Sequence, residues 1–249
     1  MHNIARRQKN ETISKGPFLN SVVSLRPVRS LPLTFGCGPH CALSWLVLLC
    51  YVWRMTRDEA LALLKEYTKS ESLLKHAFAV EAAMRYYATR LGEDPGRWGT
   101  TGLIHDFDYE RWPNPPDHTR EGARILRERG VDEEIVGAIL SHADWNQADF
   151  PRDRPIRKAL FAVDELCGFI TAVAYVRPEK LAGMSPGSVR KKMKQKSFAA
   201  AVKREDIEAG AQLLGASLDE HIQNVITAMQ GVTRELGLEA PAGATAPSS

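Results

Sequence analysis

From Pro155 to about Val176 the chain is rich in Ala, Leu, Phe and Ile, and Pro155 suits the first turn of a long helix. A helix this apolar is stable in water only when other helices surround it, so the segment predicts an all-α bundle. One residue conflicts with that setting: Asp164, in Phe161-Ala-Val-Asp-Glu-Leu-Cys-Gly-Phe-Ile170. A buried carboxylate is costly unless a cation or several donors compensate it. The adjacent Glu165 falls on a different helix face and is expected to meet solvent.

A compensating partner set lies upstream. The stretch Gly102-Leu-Ile-His-Asp-Phe-Asp-Tyr-Glu110 places His105 directly before Asp106 at the end of an apolar run. Such a dyad offers one imidazole nitrogen and a two-oxygen carboxylate, whose second oxygen can reach another ion. Alone, a His-Asp pair is more often a surface turn, and His76 alone would read as a core histidine bonded to a carbonyl. Taken in order, however, His76, His105, Asp106, His118, His142 and Asp164 come from five helices or helix ends that a bundle can point inward. Six N/O ligands without cysteine favour Mn, Fe, Mg or Zn over a structural thiolate zinc site. Six also exceed what one open catalytic ion needs, whereas Asp106 bridging two ions uses them all.

The remaining helices follow from their caps. Thr56-Arg-Asp-Glu59 is a capping box opening a first helix with Leu61, Leu64 and Tyr67 on one face. A second is predicted from Ser72 to Leu91, stopped by Gly92, and a third from Trp98 to Asp106 after an Asp94-Pro-Gly96 turn. Trp112-Pro-Asn-Pro-Pro116 breaks regular structure. Asp117 then caps a helix to Arg129 with His118 in its first turn, and Asp132 caps one that ends at Ser141-His142. Near the C-terminus, Arg190 to Lys196 holds five basic residues in seven positions, an anion-binding face or a solvated helix surface. Ser217-Leu-Asp-Glu220 opens a last helix, and the Ala/Pro/Gly/Ser/Thr segment 239–249 reads as a disordered tail.

Residues 1–54 differ from everything after them. They carry a net +6 of the chain's +3, so the part from Met55 on is net −3 and the pI of 8.7 gives no reason to expect a nucleic-acid polymer as partner. Three of the four cysteines also lie there, which leaves Cys167 alone in the helical part, without a disulfide framework, as in a reducing cytoplasm. The apolar run 41–53 is shorter than a bilayer span, so no membrane partner is expected. The capping box beside Met55 suggests that Met55 is the true start and 1–54 a poorly structured upstream extension, with 55–238 a single helical domain.

With its ordered ligands the chain resembles the HD superfamily of metal-dependent phosphohydrolases. The likeness runs from about Met55 to Gln230 and takes in HDFDYE (105–110), HTREGARIL (118–126), VDELCGFI (163–170), VRP (176–178) and SVRKKMKQKSFA (188–199), the later motifs being similar to an uncharacterised HD branch. The resemblance implies an HD-type helical bundle with the metals between helices. His76, His105, Asp106 and Asp164 would hold one ion, and His118 and His142, with Asp106 bridging, a second. It also implies hydrolysis of a small phosphate ester or phosphoanhydride, such as a nucleotide, by a metal-activated water. Beside Asp106, Asp108 and Glu110 are then candidates for holding that water or protonating the leaving oxygen, or equally for capping the following turn. Arg177, Arg190, Lys191 and Lys194 are candidates for gripping phosphate. The Gly-Lys pair that follows the dyad in many HD phosphodiesterases is replaced here by Asp108-Tyr109, which argues against cyclic dinucleotides. The same ligand set also serves HD-fold di-iron oxygenases, and a non-catalytic metal or nucleotide sensor is the third alternative.

Overall fold

The computed structural model describes residues 55–241. The expected N-terminal extension, its apolar run and the tail beyond residue 241 lie outside the described residues. Those residues form ten α-helices and no strand. They are α1 (Arg57–Tyr67), α2 (Glu71–Leu91), α3 (Pro95–Leu103), α4 (Asp117–Glu128), α5 (Glu133–His142), α6 (Pro155–Tyr175), α7 (Pro186–Met193), α8 (Arg204–Leu213), α9 (Leu218–Gln230) and α10 (Thr233–Leu236). No described helix is long and apolar enough to cross a membrane.

The caps act as the sequence implies at most ends. Thr56 and Glu59 close a reciprocal capping box on α1, Gly92 ends α2 in the left-handed region, and Asp132 accepts from the Glu134 amide to start α5. Two boundaries differ from the prediction. Asp94-Pro-Gly96 is the start of α3 rather than a turn before it, because Asp94 accepts from the Gly96 and Arg97 amides. In consequence α3 ends at Leu103, and His105-Asp106 lies in the turns beyond it. His118 and Thr119 likewise have non-helical backbones, at φ −55, ψ 136 and φ 68, ψ −33, so regular helix in α4 starts only after them.

Helix α6 is the axis. Leu160, Leu166, Phe169 and Ile170 are fully buried against α2, α8 and α9, each side chain stabilising the fold by about 1.5–3 kcal/mol. A second apolar cluster joins α1 to α3 and α5 through Leu63, Leu64, Leu103, Ile104, Phe107 and Ile139. Glycine allows the closest approaches. A Cβ at Gly102 would lie 2.9 Å from the Val80 carbonyl, and one at Gly210 2.6 Å from Ala162 Cα, so α3 seats on α2 and α8 on α6 only without side chains there. One polar chain crosses the apolar core. Tyr87 donates to His221 Nδ1 at 2.6 Å, and His221 donates from Nε2 to the Ala162 carbonyl at 2.9 Å, two residues from Asp164. Burial holds His221 below the usual histidine range, in keeping with a neutral ring.

Candidate metal centre

In Leu103-Ile-His-Asp-Phe-Asp108 the apolar residues Leu103, Ile104 and Phe107 are fully buried in the α1–α3–α5 cluster. That anchoring presents His105 and Asp106 to the interior of the bundle, where all six sequence-predicted ligands meet. His76 of α2, His105 and Asp164 of α6 form one group, and Asp106, His118 and His142 a second; within each, the ligating atoms lie within 4.8 Å of one another. Asp106 faces both. Its Oδ2 is 3.5 Å from His105 Nε2, while its Oδ1 is 3.3 Å from His118 Nε2 and 3.2 Å from His142 Nε2. In the first group Asp164 Oδ1 lies 2.9 Å from His76 Nε2 and 3.4 Å from His105 Nε2.

Three imidazoles are turned by their far nitrogens. His105 Nδ1 donates to the Gly102 carbonyl at 2.8 Å, His142 Nδ1 to the Ile139 carbonyl at 2.6 Å, and His118 Nδ1 to Asp108 Oδ1 at 3.1 Å. With the proton fixed on Nδ1, a neutral ring presents its Nε2 lone pair to the cluster, as a metal ligand must. Among the described residues, His105 Nε2 and Asp106 Oδ1 are buried without a hydrogen-bond partner. Buried polar atoms of this kind are rare, and here both point into the clusters. The donor set and its orientation therefore fit divalent cations.

Electrostatics point the same way. Burial alone would make His105 less basic, but the charges of Asp106 and Asp164 outweigh it and lift the ring to about 9. Against the same desolvation, hydrogen bonds and charge from Asp106 and Asp108 lift His118 to about 10. Burial would raise Asp106 and Asp164, yet the His105 charge, helped by the neighbouring imidazoles, holds both well below the usual carboxylate range. An imidazole raised from 6.5 to about 9 or 10 contributes stability that is complete below pH 6.5 and lost as pH rises through those values. A carboxylate lowered from 3.8 contributes above that pH and loses it on acidification. Metal-free protein is thus expected to melt at progressively lower temperature as pH rises from 6.5 towards 10. Divalent ions must displace the protons of His105 and His118, so loading at about pH 7.5 should release about two protons per chain. Calorimetry in buffers of different ionisation enthalpy reads this directly, and a heat independent of buffer would contradict it.

The other predicted site residues sit elsewhere. Asp108 does not face the cleft. It is fully buried, and its oxygens accept from His118 Nδ1 and from the amides of Thr119 at 2.8 Å and Gly122 at 2.9 Å. It thereby caps α4, orients His118 and holds Thr119 in the left-handed region, a conformation costing a β-branched residue about 1–3 kcal/mol. Asn146 completes this corner, donating to Thr119 Oγ1 and to the Leu140 carbonyl. Glu110 accepts from the amides of Lys69 and Ser70 and closes the α1–α2 connection. Arg177 donates to the Lys180 and Ala182 carbonyls, bracing the turn after α6. Arg190 pairs with Asp219 and, with Lys194, lines a separate hollow formed with Met193, Arg204, Glu208 and Leu218. Lys191 is exposed. None of these six residues lines the cleft over the metal clusters.

Besides Asp106, His118, His142 and Asp164, that cleft is lined by residues to which the sequence reading gave no role. Tyr109 and Trp145, both partly exposed, stand 5.1 and 6.0 Å from the His118 ring. Phe161, Asp164 and Glu165 face it together, at the i, i+3, i+4 spacing of one helix face. Glu165 is therefore not the solvent-facing residue expected, and burial, then the charges of Asp164 and Asp206, push its carboxyl up to about 7. Asp144, Asp206 and Lys203 form the rim. Arg152 fixes the side that carries His142, donating to the Ser141 and His142 carbonyls and to Asp144.

No solved structure gives a significant match to the chain. Residues 73–181 match the model of the HD domain, a span that begins before His76 and ends beyond Asp164 and so contains all six clustered residues. Proteins with this domain are in general metal-dependent phosphohydrolases. Over residues 73–181 the chain is similar to the HD domain.

Proposed function

We propose that this protein is a hydrolase that cleaves a small phosphate ester or phosphoanhydride, a nucleotide being one candidate, with two divalent ions drawn from Mn, Fe, Mg and Zn. The observation that supports it best is the placement of Asp106, whose two oxygens face two separate histidine groups. His76, His105, Asp164 and Asp106 Oδ2 would hold one ion, and His118, His142 and Asp106 Oδ1 the other. When bound, such a pair of ions makes a water nucleophilic near neutral pH and stabilises charge on a phosphoryl oxygen.

The chain's own residues supply orientation. Asp108, Gly102 and Ile139 fix the three ring tautomers through the hydrogen bonds above, so the ligands need no rearrangement on loading. Tyr109 and Trp145 beside His118 offer apolar faces to the organic part of a substrate, and Phe161 closes the opposite wall. Cys167, buried and unpaired, suits a reducing compartment, and we place the protein in the cytoplasm.

The test is phosphate release from a panel of nucleotides and simple phosphate esters by the full chain loaded with manganese. Turnover above that of a metal-stripped control is expected. A chain that binds two ions and releases phosphate from no member of the panel would contradict hydrolysis. Oxygen uptake by the iron-loaded chain would then favour the oxygenase alternative.

A further inference from the structure

The cleft poses an electrostatic problem for an anionic substrate. Asp106, Asp144, Asp164, Glu165 and Asp206 line it, and among the described residues Lys203 is its one Lys or Arg side chain. Two divalent ions would offset Asp106 and Asp164 within the clusters. At the rim, Asp144 and Asp206 would still repel a phosphate approaching from solvent.

Lys203 is placed to reverse that field. It stands at the N-cap position of α8, and its side chain is 61% exposed, so the ammonium retains freedom to move. Its Nζ lies 3.3 Å from Asp144 Oδ2 and 3.7 Å from Asp206 Oδ2. Both separations are long for charge-assisted hydrogen bonds, which run to about 2.7–2.9 Å. Exposed pairs of this kind contribute little to stability, so an arriving anion can replace Asp144 at little cost. Asp144 has a second partner in Arg152 at 2.8 Å, which it keeps when Lys203 leaves it. The two residues belong to opposite sides of the opening: Asp144 begins the short 3-10 turn Asp144–Asn146 after His142, and Lys203 precedes α8.

We propose that Lys203 is the residue that grips the substrate, exchanging Asp144 for a non-reacting oxygen of a phosphoryl group, and that Asp144 is the internal competitor setting the strength of that grip. This rests on the reading of the cleft as a phosphate site and transfers to Lys203 the role that the sequence assigned to Arg177, Arg190, Lys191 and Lys194. Two expectations of opposite sign follow. Lys203→Gln removes the one Lys or Arg that the described residues place on the cleft wall and weakens anion binding. Asp144→Asn keeps the polar contacts but frees the ammonium and removes a repelling charge, so binding strengthens. If the ion pair only braces the fold, the two substitutions act in the same direction or not at all.

The experiment is calorimetric titration of inorganic phosphate into the full chain loaded with manganese, at low ionic strength. Lys203→Gln is expected to raise Kd about tenfold, the low end for a hydrogen bond to a charged group, and Lys203→Arg to change it by less than about threefold. Asp144→Asn is expected to lower Kd roughly threefold, as for an exposed charge. Equal effects of Lys203→Gln and Asp144→Asn, or no effect of Lys203→Gln, would overturn the proposal, as would a loaded wild type that binds no phosphate. Binding is read apart from turnover. A chain whose phosphate affinity follows Lys203 but which hydrolyses nothing keeps this assignment and loses the hydrolase reading. A chain that hydrolyses esters with unchanged phosphate affinity in Lys203→Gln does the reverse.

Discussion

Asp106→Ala is expected to lower kcat on any phosphate ester by at least about 10³-fold while leaving the helical content unchanged. The residue supplies an oxygen to each histidine group, so its loss takes the shared ligand from both sites at once. The buried Leu103, Ile104 and Phe107 that anchor its turn remain. The side chain also contributes to the raised basicity of His105 and His118. In the metal-free variant both rings should therefore titrate at lower pH than in the wild type, which NMR of the imidazole protons can read. A variant with more than about a tenth of wild-type turnover would show that Asp106 is not the common ligand.

Asp108→Asn should produce the second-largest effect, by another route. Asp108 does not itself line the cleft, yet it accepts three hydrogen bonds, from His118 Nδ1 and from the amides of Thr119 and Gly122. An asparagine keeps one acceptor oxygen and turns an NH₂ towards a donor. Leaving such buried groups unsatisfied costs about 1–3 kcal/mol each. Space offers no escape, since even the position of a Cβ on Gly122 would be 2.8 Å from Asp108 Oδ2. With His118 no longer held in one tautomer, affinity for the ion in its group is expected to fall about 10–100-fold, while the His76–His105–Asp164 group keeps its own. Urea unfolding and metal titration separate the two consequences. Unchanged affinity at the second group, with a stability loss alone, would reduce Asp108 to a helix cap.

The residues of the two clusters were legible in the sequence, Asp164 and the His105-Asp106 dyad because they break a local pattern and the other histidines through their order along the chain. Asp164 interrupts an apolar helix, and His105-Asp106 ends an apolar run, so both signalled compensation by a cation before any fold was known. Seven of the ten described helices were legible from caps and apolar periodicity, whereas α7, α8 and α10 were not assigned. The error at α3 came from reading Asp94-Pro-Gly96 as a turn, although an Asp N-cap followed by Pro is equally a helix start. Nearness in sequence to the dyad makes Asp108 and Glu110 candidates both for the reaction and for capping the next turn, and sequence alone does not separate the two. In three dimensions Asp108 points into the protein and Glu110 towards the start of α2. Lys203 lay beyond local reading altogether. It reaches the cleft only because Gly210 lets α8 lie directly on α6, a contact between segments about fifty residues apart. The denser basic run 190–196 attracted the phosphate-binding assignment on composition alone.

The most direct test of a centre bridged by Asp106 is the metal content of the full chain, purified without chelator or histidine tag and measured by elemental mass spectrometry beside Asp106→Ala. Two divalent ions per wild-type chain, with both lost or weakened together in the variant, is the result expected. A wild type that takes up no ion on reconstitution with Mn, Fe, Mg or Zn, or a variant that still retains two, would contradict it.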